Sequence, residues 1–375
     1  MTLLSKIDIH IICFDVPLPE NYGGVIDVYN RIKALHKAGL SIALHCFEYG
    51  RGEQNALKEY CSELHYYSRN KSLFNLLSPL PFIVASRKSN LLIKNLLKDN
   101  APIFFEGHHS CYYLNDERLK DRQKWVRIHN VEQDYYSALA KVSRSAIKRL
   151  YYTLEARKIE KFEATLKNAS TLFAITPEDV EHFKSINRET FLLPAFHSFK
   201  LKESELDVAD FALYHANLAV EENCEAALFL IKVFSQLENK LVVAGREPSK
   251  LLTHAVSKCA NIELVANPKE EELVELIRSA KVNCLYTQQA TGVKLKLIRA
   301  LIEGNSIIGN SKLFEGTTFG VFCHTAESTE EWREKIQEVF AISLDEDQIA
   351  ERKRKAIDFF DNDKNSKMLI ELIQR

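Results

Sequence analysis

The chain has no excess of either charge: 50 Lys and Arg face 51 Asp and Glu over 375 residues, a formal net charge of -1. Such a balance gives no global field to attract nucleic acid, so any anion must be bound by a local arrangement. Paired cysteines are missing too. The eight cysteines (13, 46, 61, 111, 224, 259, 284 and 323) form no C-x-x-C, and Cys13, Cys46 and Cys284 fall inside apolar runs. They read as reduced core thiols of a cytoplasmic protein. Long hydrophobic runs are absent. The most membrane-like stretch, Leu73 to Ala85, is too short to span a bilayer and contains Pro79 and Pro81. Met1 to Asp8 carries one lysine and no small-residue cleavage site, so it reads without a secretory signal. No fixed-period repeat or low-complexity segment occurs.

What is present is ordinary globular composition, 46% hydrophobic and 27% charged, in a chain long enough for two cores. Ile7 to Phe14 reads as a strand, Pro19 to Val25 as a glycine-bearing loop and Val25 to Ala38 as a helix. Strands follow at Leu40–Phe47, Ala101–Phe105, Trp125–His129 and Thr171–Ile175, with helical stretches between most of them. After a polar break at Lys200 to Asp207 the same alternation restarts at Phe211–His215 and continues to Ser306–Ile308. Short apolar strands alternating with helices predict parallel sheets with crossover helices, hence two doubly wound Rossmann-like αβα domains. Ligands of such sheets bind beyond the strand C-termini, so a cleft between the domains is the expected site.

Three segments carry anion chemistry. In Pro19 to Val25 (PENYGGV), Gly23 and Gly24 allow close backbone approach and the following helix offers its positive end, although a tight turn without ligand has the same sequence. It is neither a G-x-G-x-x-G fingerprint nor a P-loop. In Leu241 to Ser249 (LVVAGREPS), a strand ends in Gly245-Arg246, where a guanidinium can clamp a phosphate or stand solvated. In Gln288 to Gly304, Thr291-Gly292 opens a helix with Lys294 and Lys296 in its first turns, positions that favour an anion nearby. The two lysines point in different directions, so one of them is expected to reach a ligand and the other to be solvated.

Taken in order, Val242 to Pro248, the elements around Asn267-Pro268 and Ala280, Thr291 to Lys296, and Phe314-Glu315-Gly316-Thr317 resemble the donor-binding domain of retaining glycosyltransferase family 4. The Gly23-Gly24 loop and Arg127-Ile128-His129-Asn130-Val131-Glu132, followed by Tyr135-Tyr136, resemble the acceptor-side domain of its bacterial members, including those described as mannosyltransferases. The resemblance implies a GT-B fold: an acceptor-side domain over 1–200, a nucleotide-sugar domain over 208–345, and a helix over 346–375 packing back on the first domain. It implies retaining transfer of a hexose from GDP- or UDP-hexose to a glycan or lipid-linked glycan, as in polysaccharide biosynthesis, with no cofactor and no obligatory metal. No D-x-D stands where it would hold one: Asp361-Asn362-Asp363 lies in the terminal helical region and reads as a helix boundary.

Donor contacts are then expected from Gly23, Gly24, Gly245, Arg246, Thr291, Gly292, Val293, Lys294 and Lys296, with Lys294 and Arg246 stabilising the departing diphosphate. The chain departs from the pattern at two places. Arg299 stands where the family has a ribose-binding glutamate, and Tyr214 to Asn223 lacks the usual arginine and lysine. Arg299 is expected to add to the positive charge; otherwise the donor site has decayed.

On the acceptor side, His129 at a strand end is the candidate to contact the reacting sugar, with Glu106, His108, His109 and Glu132 around the acceptor. The paired histidines suggest a metal, but no third ligand is placed, so sugar contact is preferred. Lys141 to Lys167 is a basic helical surface with Tyr151, Tyr152 and Phe162 which, with Leu76 to Phe82, suits peripheral contact with the inner membrane leaflet. Two alternatives remain: a sugar-nucleotide epimerase using His108, His109, His129 and Glu132, and a non-catalytic partner subunit with a degenerate donor pocket.

Overall fold

The computed structural model describes residues 6–143, 145–201, 207–288 and 294–373. Contacts divide the chain into two units, one of residues 1–197 with 360–375 and the other of residues 198–359.

The first unit is built on seven strands: β1 (Ile9–Cys13), β2 (Ile42–Glu48), β3 (Glu63–Ser68), β4 (Ile103–Glu106), β5 (Lys124–Ile128), β6 (Thr171–Ala174) and β7 (Thr190–Leu192). They pair in the order β3-β2-β1-β4-β5-β6-β7, all parallel. Alternate residues feed two cores. Ile9, Ile11, Phe104, Trp125 and Phe173 pack on one face, and Ile12, Phe105, Val126 and Leu172 on the other. Continuous apolar runs are what a sheet buried on both faces requires. The helix Asn362–Ile373 joins this unit and inserts Leu369 into the first of these cores.

The second unit carries β8 (Ala209–Asn217), β9 (Lys240–Arg246), β10 (Ile262–Ala266), β11 (Ala280–Leu285), β12 (Ser306–Gly309) and β13 (His324–Thr325). Their order is β10-β9-β8-β11-β12-β13, again all parallel. Tyr214, Val243 and Cys284 face one core, Leu213, Val242 and Ala244 the other.

The returning segment starts later than the sequence suggests. The helix Glu346–Phe359 belongs to the second unit, because buried Arg352 donates to the carbonyls of Leu301 (3.3 Å), Gly304 (2.5 Å) and Asn305 (2.5 Å). The crossing back falls at Phe360. Asp361 then starts the next helix, its Oδ1 accepting from the amide of Lys364 at 2.7 Å. Among the described residues no helix is long and apolar enough to cross a membrane.

Candidate functional site

In the second unit the C-terminal strand ends gather His215 to Asn217, Gly245-Arg246, Thr287 and Gly309-Asn310. The helix Leu295–Glu303 begins there, with Lys294 as its N-cap in extended conformation, no side-chain cap and no acidic residue in its first turn. Thr291, Gly292 and Val293 lie outside the described residues. Lys296 donates from Nζ to the carbonyl of Tyr286 at 2.9 Å and lies 5.5 Å above the ring of Tyr214. Burial pulls its ammonium down to about 8 against the opposing charge of Glu222. Lys294 is lowered for the same reason, with Glu222 and Glu315 opposing. Both lysines therefore answer to Glu222, and the site contains two amines that a further anion would hold protonated.

Glu222 itself accepts from the Thr287 hydroxyl at 2.6 Å, and Asn310 braces the Thr287 backbone in both directions, at 2.7 and 3.2 Å. His215 is buried, its Nε2 has no hydrogen-bond partner among the described residues, and burial, then Arg299 and Lys296, bring its imidazole down to about 3. It is a neutral group at the site's floor.

Two expected donor residues have other work. A side chain at Gly245 would overlap the carbonyl of Ala216 and the side chain of Leu218, so glycine is required by the approach of β9 to its neighbours. Arg299 is buried and already paired, with Glu303 at 2.9 Å and Glu270 at 2.6 Å, above the ring of Phe199. Its charge is compensated inside the unit. Arg246 is exposed at the end of β9.

In the first unit the helix Gly23–Lys37 follows β1 and starts at the C-terminal edge of that sheet, also without a side-chain cap or an early acid. Among described helices of eight residues or more, these two alone begin with neither; the rest have a capping serine or threonine or an acidic first turn. Helix N-termini left with bare N–H groups favour anions. Gly24 lies close to the ring edge of Phe14, 3.0 Å from where a Cβ would stand.

Behind that helix lies a charge network. Arg31 binds Asp27 at 2.9 Å and Glu106; Arg127 binds Asp27 at 3.1 Å and the carbonyls of Leu193 and Pro194. Burial works against it, yet Arg127 and Arg31 hold the Asp27 carboxyl well below the carboxylate range. His129 closes the network with Nε2 3.3 Å from Glu106, its ring edge-on to Phe14 at 5.5 Å. Ligand atoms of Asp27, Glu106 and His129 lie within 4.8 Å of one another, a spacing that suits a metal. The two arginines already balance these carboxylates, so the charge at this cluster calls for no ion. Asp27 and Arg31 escaped the sequence reading, although their four-residue spacing on a helix is the signal of an ion pair. The link to Glu106, 75 residues further on, leaves no such signal.

The expected histidine pair is split. Gly107, at φ 66°, turns the chain so that His108 goes inward, 3.5 Å from Glu163 and beside Phe183, while His109 packs against Phe14. Burial brings His108 down to about 3 and His109 well below its ordinary value. His109 and His129 therefore both pack against Phe14, and His108 belongs to the core. Glu132 opens the helix Glu132–Val142 and is buried, which pushes its carboxyl up to about 7. In the basic segment Phe162 is buried in the core, so the aromatic part of that surface is Tyr151 and Tyr152 alone.

No protein-family model matches the chain. It is similar to an uncharacterized 44.6 kDa protein in the cps region of Klebsiella pneumoniae, 29% identical over 330 residues that cover 82% of this chain and 84% of that protein. Among solved structures it is similar to Anabaena HepE in complex with UDP and glucose, with a TM-score of 0.68 and 11% identity over 98% of this chain and 99% of that one. It is also similar to TarM, with a TM-score of 0.66 and 12% identity over 98% of each chain. A glycosyltransferase from Rickettsia africae matches with a TM-score of 0.66 and 12% identity over 99% and 98%. The two units thus have the GT-B fold, each a parallel Rossmann-like sheet.

Proposed function

We propose that the chain is a glycosyltransferase that moves a hexose from a UDP- or GDP-hexose to a glycan or lipid-linked glycan acceptor, with retention and without a metal. The observation that carries this is the N-terminus of Leu295–Glu303, which has no side-chain cap from its N-cap residue and no acid in its first turn, with Lys294 and Lys296 at the strand ends of the second unit. HepE, of the same fold, binds UDP and glucose, and the relative in a cps region fits a role in polysaccharide biosynthesis.

In this reading Lys294, Lys296 and exposed Arg246 hold the diphosphate. As the bond to the sugar breaks, negative charge grows on the leaving phosphate, and these cations stabilise that state more than the ground state. The sugar becomes oxocarbenium-like, and the acceptor hydroxyl attacks from the face the phosphate is leaving and gives its proton to that phosphate's oxygen, which delivers retention. The amide end of Gly23–Lys37 is expected to favour the anionic donor, and His129, held by Glu106, serves the acceptor side with His109 and Glu132. Glu222 and Thr287 suit the ribose hydroxyls.

Titration calorimetry with UDP and GDP tests the reading, followed by transfer assays over a panel of nucleotide hexoses. Lys294→Ala and Lys296→Ala are each expected to weaken nucleotide binding about tenfold or more, the loss of one charge-assisted contact. Because the Lys296 ammonium titrates near 8, wild-type affinity should also fall as pH rises through that value, where the amine loses its charge. Absence of binding by either nucleotide at millimolar concentration would sink the proposal.

A further inference from the structure

The five most exposed large apolar side chains among the described residues are Phe74, Leu77 and Ile147 at 83%, Val321 at 80% and Leu73 at 76%. Four of the five lie on one face of the first unit. Leu73, Phe74 and Leu77 belong to the 3₁₀ turn Leu73–Leu77. Ile147 begins a stripe with Leu150 and Leu154 on the helix Ala146–Glu163, at spacings of three and four that keep them on one side. Four residues beyond Leu154, Lys158 donates to the carbonyl of Leu76 at 2.7 Å, and Glu155 accepts from the amide of Phe82 at 2.5 Å. Turn and stripe are therefore neighbours. Six large apolar groups left in water side by side are unusual and mark a contact surface.

Its charge says what it contacts. Between residues 146 and 163 the helix carries Lys148, Arg149, Arg157, Lys158 and Lys161 against Glu155, Glu160 and Glu163, and of the three acids only Glu160 is exposed. Lys71 adjoins the turn. A two-fold contact with a second copy would set these cations against themselves. An apolar patch rimmed with basic side chains instead matches the boundary of an anionic bilayer, where the apolar groups enter the acyl region and the cations meet headgroup phosphates. The turn follows β3, and the helix follows the one that opens at Glu132.

We infer that the face formed by Leu73–Leu77 and the Ile147, Leu150, Leu154 stripe docks the protein on an anionic phospholipid surface. This deepens the acceptor reading above, and it is tested by binding rather than by transfer. The full chain is sedimented with vesicles of phosphatidylcholine alone and of phosphatidylcholine with phosphatidylglycerol. Binding to the anionic vesicles should exceed binding to the neutral ones about tenfold or more and should weaken with salt. The double substitution Phe74→Ser/Leu77→Ser should remove most of it while circular dichroism and nucleotide binding stay unchanged, since both side chains are in solvent. Equal or absent sedimentation with the two vesicle types would overturn the inference. So would a dimer in light scattering that the same double substitution disperses. Nucleotide binding without vesicle binding would leave glycosyl transfer standing and remove only this surface.

Discussion

Glu132 is a carboxyl kept out of water at the edge of a candidate site, with burial as the main cause of its rise to about 7. A carboxyl whose folded value is raised above the ordinary 4.5 disfavours the folded state above the folded value. That penalty is relieved as pH falls toward the unfolded one. Glu132→Gln is therefore expected to raise stability at about pH 8, by about 3 kcal/mol for a shift of this size, and to have little effect near pH 4.5. Denaturation at several pH values measures this, and a difference between the two proteins that does not change with pH would refute it. Glu132 could be picked from its motif in the sequence, but its burial could not. The same holds for Arg299, whose partner Glu270 is 29 residues away, and for Gly245, whose reason is the carbonyl of Ala216 on another strand. Short-range patterns survive in a sequence, whereas compensation between distant charges and close approach of backbones exist only once the chain is folded.

Elements were legible to the extent that their burial was two-sided. β1 and β2 are buried along nearly their full lengths and read as mostly apolar runs, while the edge strands β3 (ELHYYS) and β7 (TFL) have mixed faces and leave no such run. Helix ends show a related division. The cations at the start of Leu295–Glu303 were legible, but its other end could not be understood locally, because its last turn has no basic residue. Arg352, from a helix some fifty residues on, supplies that cation to the carbonyls of Leu301, Gly304 and Asn305. Arg352→Leu should leave three buried carbonyls without this donor and destabilise the second unit by roughly 3 kcal/mol. Hydrogen exchange is expected to rise first at the end of Leu295–Glu303 and along Glu346–Phe359; exchange unchanged in both would show that apolar packing alone holds them together.

For the molecule as a whole, the restart of strand and helix alternation after residue 200 revealed two αβα units. The point of return was misplaced, since Glu346–Phe359 and Asn362–Ile373 both read as helices and the boundary at Asp361 does not say which of them returns. Residues 1–197 alone lack the helix Asn362–Ile373, and with it Leu369 of the core and the two hydrogen bonds by which Asn362 ties down His197, at 2.6 and 3.2 Å. A chain cut after Phe359 should therefore have a first unit that melts several degrees lower or aggregates, with the second unit unaffected, and a 360–375 peptide added in trans should restore part of the loss. Two transitions in calorimetry would report this directly, and an unshifted first transition would refute it.

That returning helix also sets a timetable for biosynthesis. A ribosome that has finished residue 197 must still add more than 160 residues before Phe360 emerges, roughly 10 to 30 s at bacterial or eukaryotic elongation rates. The second unit receives its last residue, Phe359, only at the end of that interval, yet it is complete before the earlier one, which has waited throughout with the place of Leu369 unfilled. Domain completion thus runs against the order of translation, and chaperone capture of nascent chains is expected to concentrate on the segment made first.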